Sequence, residues 1–400
     1  MSTPFWRGAT VSALTLAVLL VVAKLQPVLS PVIGHGVVQT MVQTMSLRGL
    51  NDEDRTRVTA GYYQDLINGN STIGLWPVIQ ADPCAWDRKN FIGTGTVQRR
   101  LSTFVYFDYK PNFASNLIST NSQGMADVEY ALVPPPATRR IALLGDSISR
   151  GLGVSATARY EALLKQQLNQ MLSDGTDGRR RHYRHYDILD FAVDGYLLTQ
   201  MVDTAIDRAS AFRPDVYMVA LTDLSLGRSW SYHIVQLFLE GMDLKYDYLK
   251  EVARDARLGP ADDARVLEAK LAPFRLRVVR AALSLLQRHA QQHGTDLIVL
   301  YMTSVNDPEK LARQFDDIAP ILDELDIPKI NLADTFGARD DLSVLRIAPG
   351  NVHPNAAGHR LLFESLYAKI TESPRLRRIV LGDDAGSASD TPGTYARAGS

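Results

Sequence analysis

Beyond residue 140 the chain alternates short apolar runs with stretches of helical spacing. Residues 141–144 (IALL), 187–193, 216–221 (VYMVAL), 296–302 (DLIVLYM) and 328–332 read as strands. Residues 160–172, 197–209, a long region reaching about 292, 309–325 and 356–370 read as helices. Strand and helix in strict turn predict right-handed crossovers and a mainly parallel sheet covered on both faces, a three-layer α/β/α arrangement. In such sheets the site lies at the carboxyl ends of the strands.

The text before residue 134 differs. Residues 26–38 carry Pro27, Pro31, Gly34 and Gly36 and read as a stalk, and 52–66 fit a helix. From 91 to 133 the pattern turns β-prone, as in 103–109 (TFVYFDY), and Pro134, Pro135 and Pro136 close it. The expected organisation is a stalk and small β-containing prelude over 26–133, then a main domain over 134–371. Within that domain 226–273 form a charged helical insertion, either a cap over the site or a solvated excursion. The tail 372–400 ends in SASDTPGTYARAGS and is expected to be disordered.

One strongly apolar stretch lies apart from this alternation. After Arg7, residues 8–23 are 16 uncharged, mostly apolar positions, fewer than the ~20 that a membrane span needs. A basic start and a short apolar core predict a secretory signal or an uncleaved signal anchor over residues 1–25. Lys24 directly after Ala23 leaves no polar region before a cleavage point and favours the anchor. A buried core helix is the third reading. Either export reading places the main domain outside the cytoplasm, in the periplasm or at the cell surface.

Composition narrows the chemistry. With 46% hydrophobic and 22% charged residues the chain has the make-up of a globular protein, and 43 Lys+Arg against 44 Asp+Glu give no reason to expect nucleic acid as a partner. Cys84 is the single cysteine, so an intramolecular disulfide, a cysteine metal cluster and a C-x-x-C redox pair are excluded. His289 and His293 share a helix face without a third ligand, so no metal and no cofactor is expected. The nucleophile is then sought among hydroxyls.

Gly145-Asp146-Ser147 directly follows the first apolar strand, and Gly151 and Gly153 come shortly after. A serine where a strand gives way to a helix sits at the carboxyl edge of the sheet, and a helix N-terminus there favours developing negative charge. Near the other end, Asn351-Val352-His353-Pro354-Asn355 lies in a loop entering the final helix. Ser147 and His353 from these two places suit the nucleophile and base of acyl transfer.

These blocks resemble the SGNH hydrolases, also called the GDSL esterase and lipase superfamily. The strand running into Gly145-Asp146-Ser147 is similar to the family's first block, and Leu189-Asp190-Phe191-Ala192-Val193-Asp194-Gly195-Tyr196 to its second. The third, Gly-x-Asn-Asp, falls on Ala220-Leu221-Thr222-Asp223, with threonine at the oxyanion asparagine position. In the last, Asp-x-x-His, His353 matches and Gly350 stands at the acid position. Asn121-Ser122-Gln123-Gly124 resembles the lead-in of many envelope members. The resemblance spans about 121–370.

It implies a flavodoxin-like sheet of the SGNH hydrolase type and a membrane-anchored, bacterial-type ester hydrolase working through an acyl-enzyme. Ser147 and His353 would be catalytic, and Ser147, Gly195 and Thr222 would form the oxyanion hole. Asn351 would orient the histidine as a neutral acceptor, or Asp340 or Asp341 would fold back as the acid. The implied substrate is an acylated glycan or lipid. A catalytically impaired binding or assembly protein for a surface polymer, and an O-acyltransferase using the same pair, remain alternatives. The residues do not define the acyl group or the oligomeric state.

Overall fold

The computed structural model describes residues 97–114, 118–174, 183–305, 313, 315–337, 339, 341–347 and 351–382. The stretch expected to be a signal or anchor, and the stalk with its helix at 52–66, lie outside the described residues. Among the described residues no helix is long and apolar enough to cross a membrane.

Five strands form one parallel sheet: β3 (Thr138–Leu144), β4 (His185–Asp190), β5 (Val216–Leu221), β6 (Asp296–Tyr301) and β7 (Lys329–Asn331). Their order is β4-β3-β5-β6-β7. β1 (Gln98–Arg100) and β2 (Phe107–Tyr109) precede them as a separate antiparallel pair. β3 and β5 are buried at every position, as expected of strands covered on both faces. Chain order reverses direction between β3 and β5, which makes the gap at their carboxyl ends the switch point of the sheet.

Alternation decides which side chain meets which layer. Ile141 and Leu143 of β3, Met218 of β5 and Ile298 and Leu300 of β6 share one core with α1 (Tyr160–Asp174). Leu164 and Leu168 of α1 are fully buried in it, each worth ~1.5–3 kcal/mol of apolar transfer. The opposite layer contains α2 (Leu198–Asp207), packed on the helix that precedes β6.

The crossover from β5 to β6 holds the insertion. It runs through α3 (Tyr232–Leu239), α4 (Asp247–Asp255) and α5 (Ala264–Leu271) before α6 (Arg275–His293). The next crossover includes α7 (Ala319–Glu324), and α8 (Ala356–Glu372) ends the layer packed on α1.

The expectation of a disordered tail from residue 372 is corrected over 374–381. Pro374–Leu376 and Arg377–Leu381 are helical turns, and Leu376, Ile379, Val380 and Leu381 enter the core. Arg139 Nε donates to Val380 O at 3.1 Å and Tyr186 Oη to Leu381 O at 2.7 Å. The cluster Ile379-Val380-Leu381 is apolar enough to be buried, although the residues after it are polar. Residues 383–400 lie outside the described residues.

Candidate active site

Ser147 stands two residues past Gly145, at the carboxyl end of β3. A Cβ at position 145 would lie 2.5 Å from Ser149 Cβ and Oγ, so only glycine allows the chain to fold this tightly. Arg150 N donates to Asp146 O at 2.9 Å and Leu152 N to Ser147 O at 3.0 Å, which closes a turn around the serine. The expected helix N-terminus is absent here. Gly151 and Gly153 adopt left-handed φ of 70° and 77°, which stops helical propagation, and α1 begins only at Tyr160.

The loop carrying His353 is fixed from both sides. Val305 N, past the end of β6, donates to Val352 O at 2.7 Å, and Ile347 N to His353 O at 3.1 Å. Asn355 caps α8, its side-chain oxygen accepting from Ala357 N and Gly358 N, which satisfies two otherwise orphaned amides. This frame sets His353 Nε2 2.7 Å from Ser147 Oγ.

Asn351 defines the tautomer. Its Oδ1 accepts the backbone N–H of His353 at 3.0 Å and meets ring Nδ1 at 2.8 Å. An atom that accepts from a backbone amide is the carbonyl oxygen, so Nδ1 must carry the ring proton. Nε2 is then the lone pair facing the Ser147 hydroxyl. Burial lowers the His353 pKa to about 4, against a raising effect of Asp194, so the ring is neutral at pH 7.

Gly195, after β4, has a left-handed φ of 84° and follows a buried ion pair. Arg150 donates to the Asp194 carboxylate in a two-pronged contact of 2.8 and 2.7 Å. The prelude fastens to the same segment. Asp194 N donates to Tyr109 Oη at 3.0 Å, Gln98 Nε2 to Asp194 O at 2.9 Å and Tyr196 Oη to Phe107 O at 3.0 Å. Asn121 Oδ1 accepts from Gln123 N and Met125 N, folding the lead-in turn against β2.

Thr222 follows β5 and is fully buried. Its hydroxyl is hydrogen-bonded to Asp146 Oδ2, whose other oxygen accepts Ile148 N at 3.0 Å. This contact takes up one hydrogen-bonding position of the Thr222 hydroxyl. Burial, reinforced by the charges of Asp223 and Asp194, raises the Asp146 pKa to about 7 against the lowering hydrogen bonds of Thr222 and Ile148.

Other sequence candidates fall elsewhere. Position 350 and Asp340 lie outside the described residues. Asp341 is exposed and accepts Ser343 N at 2.8 Å, within its own turn rather than at His353. Trp230 and His233 of the insertion are buried. His233 Nε2 donates to Phe104 O at 2.6 Å and its Nδ1 accepts from Thr199, which ties the insertion to the prelude. Residues 179–186 are a basic-aromatic run. Residues 179–182 lie outside the described residues, while Tyr183 lies against Arg139 and Tyr186 is in the core.

His293 Nδ1 lies 2.8 Å from His289 O, a contact along their own helix. Among the described residues no group of three or more His, Cys, Asp or Glu is placed to hold a metal.

Sequence reasoning missed Arg150, Asp194 and Tyr109. The first two were detectable in principle: each is a charged residue inside a motif block that the fold buries.

Residues 143–361 match the model of the GDSL-like lipase/acylhydrolase family, more than half of the chain. No curated sequence matches. Among solved structures, a psychrotrophic esterase from Pseudoalteromonas sp. is 14% identical with a TM-score of 0.36, covering 58% of this chain and 97% of that one. An acetylxylan esterase from Geobacillus stearothermophilus is 14% identical with a TM-score of 0.38, covering 59% and 96%.

Proposed function

This chain belongs to the GDSL-like lipase/acylhydrolase family and is a hydrolase acting on ester bonds, and we propose that Ser147 and His353 carry out the hydrolysis through an acyl-enzyme. The observation that carries this reading is the 2.7 Å contact between Ser147 Oγ and a His353 Nε2 whose lone pair is defined by Asn351. Ser147 Oγ attacks the ester carbonyl while Nε2 takes its proton, and the imidazolium then returns that proton to the leaving alcohol. Water, deprotonated by the same nitrogen, attacks the acyl-enzyme and releases the acid. The amides of Ser147 and Gly195, with the Thr222 hydroxyl, stabilise the tetrahedral oxyanion.

The substrate in this reading is an O-acyl group on a glycan or lipid at the cell envelope, reached by a domain held to the membrane through residues 1–25. Ser147 is 1% exposed and His353 0% exposed, so an acyl group needs space opened beside them to reach them. A short acyl group needs the least, and acetyl is the expected preference.

The test is labelling of the purified protein with a fluorophosphonate, followed by a chain-length series of chromogenic esters. The expected result is one adduct on Ser147, absent in Ser147→Ala, with turnover falling as the acyl chain lengthens. An unlabelled wild-type protein, beside a labelled control esterase, overturns the serine mechanism.

A further inference from the structure

Thr222 has one hydroxyl proton, and Asp146 determines where it goes. Both side chains are buried and bonded to each other across the ends of β5 and β3. An ionised carboxylate only accepts, so Thr222 must then donate to Asp146 and has nothing left for an oxyanion. A protonated carboxyl reverses the bond. Its O–H donates to Thr222 Oγ1, and the threonine proton is released for another acceptor.

We propose that Asp146 is a positioning residue that works in its neutral form, donating to Thr222 Oγ1 so that the Thr222 hydroxyl donates to the oxyanion formed on Ser147. This rests on the reading of Ser147 as the nucleophile and of Thr222 as lying at the oxyanion position. No bond is made or broken by Asp146, and its proton stays on the carboxyl throughout.

The surroundings favour the neutral form. Asp146 Oδ1 is held by Ile148 N at 3.0 Å, which leaves Oδ2 to carry the proton towards Thr222. Desolvation disfavours charge here, and the negative charges of Asp223 and Asp194 add to that, against the Thr222 and Ile148 hydrogen bonds. An ionised carboxylate beside the nucleophile would also repel the developing oxyanion. The neutral form persists up to about pH 7, while His353 is an unprotonated base above about pH 4.

The test is the pH profile of kcat/KM for 4-nitrophenyl acetate between about pH 5 and about pH 9, with fluorophosphonate labelling of the same preparations. Wild-type kcat/KM is expected to fall about tenfold per pH unit above the Asp146 midpoint. Asp146→Asn presents a permanent donor to Thr222 while its oxygen keeps the Ile148 amide, so its profile is expected to stay level and to exceed wild type near about pH 9. Thr222→Val is expected to lose about 10²-fold and the alkaline fall with it, and Thr222→Ser to recover both.

Labelled wild type with no alkaline fall overturns the role of Asp146 alone. So does Asp146→Asn as inactive as Thr222→Val at every pH while matching wild type in thermal melting. Wild type that takes no label overturns both this role and the serine mechanism beneath it.

Discussion

Oδ1 of Asn351 accepts two hydrogen bonds from His353, one from its backbone N–H at 3.0 Å and one from ring Nδ1 at 2.8 Å. A neutral amide thus does the orienting that a carboxylate does in a triad, but without a charge to stabilise the imidazolium.

Charge can be added at that position without changing the shape. Asn351→Asp keeps both acceptor contacts and is expected to raise kcat for a small ester about tenfold and to move the acid limb upward from about pH 4, because a carboxylate favours the charged ring. Asn351→Ala is expected to lower kcat about 10- to 100-fold by freeing the tautomer. Steady-state profiles of the two variants decide it; Asn351→Asp slower than Asn351→Ala sinks the account.

The Arg150 and Asp194 pair is buried beside the glycine amide that the oxyanion needs. Arg150→Met leaves an unpaired carboxylate and is expected to cost about 3–5 kcal/mol, whereas combining it with Asp194→Asn should recover much of that. Urea unfolding of the three proteins measures both values. Equal stability of the single and double variants would contradict the assignment.

Tyr109→Phe removes the acceptor of Asp194 N–H and leaves that amide buried without its partner. A loss of about 1–3 kcal/mol is expected. Because Gly195 is the next residue, kcat should fall while KM changes little. A change confined to KM would count against this link between prelude and oxyanion loop.

Stability itself should depend on pH. Burial raises Asp146, Glu161 and Asp190 above their ordinary values, so the folded state holds protons that the unfolded chain has released. The slope of unfolding free energy with pH is then negative, and stability present at low pH is lost as pH rises through the folded values. Buried His233, His353 and His359, all lowered, act in the opposite sense below about pH 6.5, where the unfolded chain protonates its histidines. The two effects oppose each other in mildly acid solution, and above that range only the carboxyls remain. Unfolding free energy should therefore decline between about pH 6.5 and about pH 8, by up to ~1.4 kcal/mol per pH unit for each group. Urea titrations at the two ends test this, and a rise instead of a decline rejects it.

The parallel sheet was legible because its strands are continuous apolar runs separated by helical spacing. That a serine after β3 and a histidine before α8 come to one edge follows from the same topology. Contacts between strand ends carry no local signal, so the bond from Thr222 to Asp146 could not be read in either block alone. The helix expected at 160–172 forms from Tyr160, but it does not reach back to Ser147, because two glycines in left-handed conformation lie between them. The folded turn at 377–381 was missed because five apolar or amphipathic residues were averaged into a polar tail.

The hydrogen bonds from the segment after β4 to Phe107 and Tyr109 also bear on inheritance. A recombination event that joined this chain at Pro134 to a foreign leader would carry over Ser147, His353 and Asn351 intact. It would nevertheless deliver an oxyanion loop stripped of its buried acceptors. The hairpin and the hydrolase sheet are therefore expected to pass between proteins together more readily than apart.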